Sequence, residues 1–437
     1  MAKRCRPFFS LLEATDPTVS RNTDPRAHRD NLLRNLLKTA GEPEFSSLSI
    51  SMSFERLLES SPSDEEQSSL IDQSIKLGTL IVEAGKRSLR RRYSKHNSNS
   101  WPIPPDLTVK IFSHLNTQAL CYAAASCSMF RKCASDPLCY TNVTLTTTAP
   151  NVTNADVATM IRRAGKGLRS LKVGTIQTRN SHLVASQRKA TNRTDNGWHE
   201  NEVCLLSRTC LNPLSSENCF SGRLLKQLHL YNIQQMDINS LNEAFSACTS
   251  LLDLQLVGLQ VKLGHTLPLV TYRCPSIERL YMECSKTVRD ETFKSLECQA
   301  FIDNCPNMSS LSIRGYRLVD SKIKTLVKGF RALKYLDLST SYNVNGSFLR
   351  NLGGDEVLEC LILRDCLDLK EAEVSRMLTE AVSGHFKHLR HLDISNREGL
   401  ASNREWYYRK YGLSEISKDE VKNARPELHV LAEFPSQ

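Results

Sequence analysis

Cys274-Pro275-Ser276-Ile277-Glu278-Arg279-Leu280-Tyr281-Met282 is the stretch that decides the fold. Leu280 and Met282 flank a single residue, so in an extended chain they point to one side and Tyr281 to the other. Ile277 and Cys274 precede them at steps of three, a helical closing turn that leads into a strand. The same grammar returns along the chain: Leu225, Leu228, Leu230; Cys248, Leu251, Leu254, Leu256; Cys305-Pro306-Asn307-Met308 before Leu311 and Ile313; Phe330, Leu333, Leu336, Leu338; Leu358, Leu361, Leu363; Phe386, Leu389, Leu392, Ile394. Anchor leucines at 228, 254, 280, 311, 336, 361 and 392 stand 25 to 31 residues apart. That spacing suits a repeat of one strand and one real helix. Outlying copies read Leu168-x-x-Leu171-x-Val173 and, degraded, Pro426-x-Leu428-x-x-Leu431.

One such unit cannot cover its own apolar face, but stacked units bury a continuous core behind a parallel sheet. The expected fold class is therefore α/β, a right-handed leucine-rich-repeat solenoid over residues 155–437. The array is interrupted at about 176–223 by an insertion. Gln177 to Glu202 is polar and reads as a long loop, while Leu205 to Leu214 keeps the helix of a missing repeat.

The chain has 437 residues, enough for two or three domains, and at 40% hydrophobic and 24% charged it can bury a core. It has no apolar run of about 18 residues, so no membrane span is expected. Phe8 to Leu12 is too short for the apolar core of a secretory signal. The 15 cysteines are then expected as buried thiols in a reducing compartment, not as a disulfide framework. The net charge of +10 lies outside the main repeats, since residues 224–437 hold 27 basic and 27 acidic side chains. A nucleic-acid solenoid would carry its charge on its binding face, so nucleic acid is not the expected partner.

Residues 1–100 read as a mostly disordered lead with short helices. Leu32, Leu33, Leu36 and Leu37 share one helical face, and a second amphipathic stretch runs from about Leu70 to Ala84. The segment Ser60 to Ser63 beside Asp64, Glu65 and Glu66 is a polar turn with phosphorylatable serines. Lys86-Arg87-Ser88-Leu89-Arg90-Arg91-Arg92-Tyr93-Ser94-Lys95 has the composition of a nuclear import signal or of a solvated helix end. Asn97 to Ser100 reads as a linker.

The character changes at Trp101. Pro104-Pro105-Asp106 opens a helix carrying Leu107, Ile111 and Leu115 at i, i+4, i+8. Asn116-Thr117 recaps, a second helix runs through Leu120 to Ala125, and a third through Met129 to Ala134 stops near Asp136-Pro137. Three short helices over 101–145 cannot bury enough surface to be stable alone, so this module needs a neighbour or a partner.

Enzyme constellations are missing. There is no phosphate loop, no Gly-x-Ser-x-Gly elbow and no His-Glu-x-x-His. Cysteines 121, 127, 133 and 139 recur every six residues, which scatters them around a helix, so no metal site is expected. The cysteines before Pro275 and Pro306 sit at one repeat position and read as core filler. No cofactor is expected. The remaining candidate surface is the outward face of the strands: His229, Tyr231, Arg279, Tyr281, Arg314, Tyr335, Asp337, Arg364, His391 and Asp393. Mixed charge with tyrosine and arginine is the composition of protein-binding hot spots, whereas a uniformly basic wall would suit phosphates.

Trp101-Pro102-Ile103-Pro104-Pro105-Asp106-Leu107, Ile111-Phe112-Ser113-His114-Leu115, Cys127-Ser128-Met129-Phe130-Arg131 and Ala134-Ser135-Asp136-Pro137-Leu138 together resemble an F-box. Ile103 stands where leucine is usual and Phe130 where tryptophan is usual; both keep the bulk. The Cys-Pro-x-Leu-x-x-Leu repeats look like those of F-box leucine-rich-repeat proteins, and residues 101–437 are similar to the plant Skp-interacting-partner group. The resemblance implies a non-catalytic substrate receptor of an SCF-type ubiquitin ligase; the basic run at 86–95 makes the nucleus the expected location, with the cytoplasm as a second. It implies docking on a Skp-type adaptor and, through it, on cullin and RING subunits, with the repeats holding an unknown target protein. Carried over by position, Ile103, Pro104, Pro105, Leu107, Ile111, Leu115, Leu120, Met129 and Leu138 are the adaptor-contact candidates. The alternative is a leucine-rich-repeat scaffold outside any ligase, with residues 101–145 as an N-terminal cap.

Overall fold

The computed structural model describes residues 25–40, 46–147, 152–176, 206–215, 220–233, 236–284, 294–352, 357–402, 409–410 and 418–435. The chain divides into two compact units, Met1–Leu89 and Arg90–Gln437.

The described part of the lead is more helical than its composition suggests. Helices α1 (Pro25–Thr39), α2 (Ser47–Glu59) and α3 (Asp64–Ser100) run through it. α2 begins with a reciprocal serine cap: the Ser49 N–H donates to Ser46 Oγ at 3.2 Å and the Ser46 N–H to Ser49 Oγ at 3.0 Å. The second expected helix, about 70–84, is instead 37 residues long, and Asn97–Ser100, expected as a linker, are its last turn. No proline interrupts the chain between Pro62 and Pro102, so nothing forbids the helix from running on.

In the second unit, α4 (Pro105–Phe112), α5 (Thr117–Ser126) and α6 (Ser128–Cys133) are followed by a 3-10 turn, Pro137–Tyr140. Each start has a sequence cause. A proline occupies the first turn of α4. Asn116 Oδ1 accepts the Ala119 N–H at 2.8 Å, and Asp136 Oδ1 accepts the Leu138 N–H at 2.9 Å.

The chain then enters one ten-stranded parallel sheet. Its strands are β1 (Asn142–Thr147), β2 (Ser170–Thr175), β3 (Gln227–Tyr231), β4 (Asp253–Leu259), β5 (Arg279–Cys284), β6 (Ser310–Arg314), β7 (Tyr335–Asp337), β8 (Cys360–Ile362), β9 (His391–Asp393) and β12 (His429–Leu431). Between β9 and β12, β10 (Leu400–Ala401) and β11 (Arg409–Lys410) form a small antiparallel pair that the repeat pattern does not foreshadow. Neighbouring strands follow sequence order, and the anchors stand in register: Leu171, Leu228, Leu254, Leu280, Leu311, Leu336, Leu361, Leu392 and Val430. Helix and sheet layers share one buried core, the leucine-rich-repeat solenoid that the spacing requires.

Cys248, Cys274 and Cys305 cap the repeat helices and are fully buried, with Phe330 in the same role one repeat later. Burial pushes the Cys248 and Cys305 thiols up to about 12. Two repeats depart from the strand–helix rule. Among the described residues, the segment between β7 and β8 carries a 3-10 turn, Ser347–Asn351, and no α-helix. The insertion supplies a 3-10 turn, Arg208–Leu211, and a single helical turn, Asn212–Ser215, with Leu206, Cys210, Leu211 and Leu214 buried. β2 pairs directly with β3, so no described residue of the insertion adds a strand between them. The expected polar loop, 177–202, lies outside the described residues.

Candidate functional site

The helical module has a sealed side and an open side. Trp101 donates its indole N–H to Thr108 Oγ1 at 2.8 Å and meets Phe130 edge-on at 5.1 Å; Phe130 meets Phe112 edge-on at 5.2 Å. Phe112, Leu120, Cys133, Ala134, Cys139 and Tyr140 belong to the same core as the strand leucines. Burial pushes the Cys139 thiol up to about 11, so it stays a neutral core group. Arg163, on the helix Asn154–Ala164, donates to the Tyr140 hydroxyl at 3.0 Å and closes the junction. The module's need for a neighbour is thus met on one side by the first repeats.

On the other side, Leu107 is 53% exposed, Ile111 41% and Leu138 63%. Leu107 and Ile111 share one face of α4, four residues apart, and α4 packs against both α6 and the turn that carries Leu138. Pro104 and Pro105 are exposed beside them, while Ile103, Leu115 and Met129 are half-buried. Leu120 differs from its expected role: at 1% exposure it is core and has no surface to offer a partner. The i, i+4 logic that pairs Leu107 with Ile111 does not transfer to α5, where Leu120 faces inward. Tyr122, 67% exposed, was missed. Two residues beyond an inward leucine a helix has turned about 200°, so Leu120 itself was the signal that Tyr122 faces out.

The outward strand face is a lattice of polar pairs that runs from strand to strand. Register places Gln227, Asp253, Arg279, Ser310, Tyr335, Cys360, His391 and His429 in one row, and His229, Gln255, Tyr281, Ser312, Asp337, Ile362 and Asp393 in the next. Asp253 is gripped from both sides, by His229 Nε2 at 3.2 Å and by Arg279 Nε at 3.3 Å. Burial alone would raise the Asp253 carboxyl, but the His229 imidazole and the Arg279 guanidinium outweigh it and hold it below its ordinary value. Arg314 lies over the Tyr281 ring, donates to its hydroxyl at 2.6 Å and stands 3.4 Å from Glu283 and 3.7 Å from Asp337. Arg364 bridges Asp393 at 3.5 Å and Glu433 at 3.4 Å. Tyr231 donates to Gln255 Oε1 at 2.8 Å, and the His391 and His429 rings stack at 5.5 Å.

This lattice divides the strand-face candidates in two. His229, Asp337 and Asp393 are buried, contrary to a reading of outward residues as accessible. Asp337 and Asp393 also accept the Ser339 and Ser395 N–H groups, each at 2.9 Å, so they set the turn after their strands and hold the arginines. Arg279 and Arg364 are exposed; Tyr231, Tyr281, Arg314, Tyr335 and His391 are half-buried. The charges of Arg279, Arg314 and Arg364 are already met by acidic neighbours, which suits a partner that reads shape and hydrogen bonds over one that brings phosphates. Among the described residues, no group of three His, Cys, Asp or Glu side chains is placed to hold a metal ion.

Comparison with known proteins agrees with the module. A family model described as F-box-like matches residues 101–146. F-box protein At4g02760 of Arabidopsis thaliana is 39% identical over 93% of this chain and 78% of its own length. F-box protein SKIP17 of the same plant is 36% identical over 96% of this chain and 86% of its own. Among solved structures, the yeast Rad7 and Elc1 complex matches at 13% identity and a TM-score of 0.38, over 86% of this chain and 87% of that one.

Proposed function

This chain belongs to the F-box protein family, and from that premise we propose that it is the substrate-recognition subunit of an SCF-type E3 ubiquitin ligase. The module docks on a Skp-type adaptor, through which cullin and RING subunits are recruited. The strand face of the repeats holds a target protein for ubiquitination. The receptor does no chemistry itself. It raises the effective concentration of the target at the ubiquitin-carrying enzyme. The basic run Lys86 to Lys95, exposed along α3 but for half-buried Ser94, supports a nuclear location alongside a cytoplasmic one.

The observation that carries the reading is the exposure of Leu107, Ile111 and Leu138 on a module whose other side is already packed. A cap built only to finish a solenoid has no reason to present apolar side chains to water. The test is a pull-down of purified Skp-type adaptor by the full chain. Leu107→Asp with Ile111→Asp is expected to abolish capture while leaving thermal unfolding unchanged. Undiminished capture would exclude this surface. One observation favours the scaffold reading: β1 follows the module directly and forms the first strand of the sheet, as an N-terminal cap would. A wild-type chain that fails to capture the adaptor at all decides for that reading.

A further inference from the structure

Helix α3 carries a stripe that nothing in its own unit explains. Ile71, Ile75, Gly78, Val82, Gly85 and Leu89 recur at steps of four and three, the period of a coiled-coil seam. All four apolar side chains are exposed, and a side chain placed on either glycine would meet nothing within 4 Å. Glycine inside an exposed helix costs helix stability and needs a packing reason.

The geometry points to a second copy of this chain, packed antiparallel along the stripe with the two-fold axis midway between Gly78 and Val82. That register sets Ile71 against Leu89 of the other copy, Ile75 against Gly85 and Val82 against Gly78. Each glycine thus receives a β-branched side chain, and the two largest end residues meet each other. The flanks agree. Asp72 lies beside Lys86 of the other copy, once on each side of the axis, as opposite charges bordering a seam. A parallel pair would face glycine with glycine, leave two voids and bring no opposite charges together. The occupant is fixed by complementarity of size and of charge together, and the inference stands apart from the ligase reading.

The test is sedimentation equilibrium of the full chain from about 1 to 200 µM, a range that brackets the modest affinity expected of a seam under three heptads. Wild type is expected to dimerise reversibly, and Ile75→Asp with Val82→Asp to stay monomeric throughout. Gly78→Leu with Gly85→Leu raises helix propensity yet is expected to weaken the dimer at least about tenfold in Kd, which a purely helix-stabilising role of the stripe would not produce. Asp72→Lys alone should weaken the dimer, and adding Lys86→Asp should restore it. A monomer at every concentration overturns the proposal, as does a glycine variant that dimerises as tightly as wild type. Failure of the charge swap to restore dimerisation overturns the antiparallel register. If deleting residues 25–39 turns a monomer into a dimer, α1 covers the stripe within one chain and the second copy is refuted.

Discussion

The Thr144 backbone N–H donates to the side-chain oxygen of Thr117 at 2.9 Å, across 27 residues of sequence. Thr117 is buried at the first turn of α5, and Thr144 lies in β1, the terminal strand of the sheet. One hydroxyl therefore satisfies a donor that an edge strand would otherwise leave open, and it ties the helical module to the solenoid. Thr117→Val keeps the shape and removes the acceptor. It is expected to cost about 0.5–1.5 kcal/mol, the net worth of one hydrogen bond, seen as a lower chemical-denaturation midpoint with unchanged slope.

The two leucine types in the module predict opposite phenotypes. Leu120→Ala empties a buried site and should destabilise by about 2–5 kcal/mol. Leu138→Asp, at an exposed position, should change stability by no more than about 0.5 kcal/mol and show itself in adaptor capture alone. Calorimetry alongside pull-down separates them, and a Leu138→Asp chain that unfolds early would mean its side chain is not free.

Asp253 makes the strand face sensitive to acid. Its folded carboxyl titrates below its unfolded value, so its contribution is complete above the unfolded value of about 3.9 and is lost as pH falls through the folded one. Urea midpoints between about pH 5 and pH 2 should fall less steeply for Asp253→Asn than for wild type. Equal slopes would show that His229 and Arg279 do not hold the carboxylate.

Buried thiols should be silent. Cys248, Cys274 and Cys305 have no exposed surface, and burial raises each thiol well above its ordinary range. Maleimide labelling of the native chain at pH 7, read by peptide mass spectrometry, should modify the exposed Cys121 readily and these three only after denaturation. Fast labelling of Cys274 would contradict their role as core filler.

The solenoid was readable in the chain because a stacked repeat writes the same spacing many times. The anchors Leu228 to Leu392 predict both strand positions and register, and no tertiary knowledge is needed to align them. The strand-face lattice was not readable. Strand period says that His229, Asp337 and Asp393 leave the sheet on the outer side, but not that Arg314, Arg364 and their neighbours fold over and bury them. The 3-10 turn at Ser347–Asn351 escaped because a helix and a tight turn can fill the same gap between anchors. The length of α3 escaped because its polar last third has no apolar period to read. Leu120 was assigned to the surface by analogy of position, where its own helix turns it inward.

Because β1 runs straight on from the module and pairs with β2 along six residues, residues 101–146 are not a detachable cassette. Excising them would strip the solenoid of its end plate and bare the backbone of Ser170–Thr175 as a template for stray strands. A truncation would then mix loss of the module's exposed face with clumping. Point changes at Leu107 and Ile111 are the cleaner instrument, because they alter the exposed face of the module and leave the sheet behind it whole.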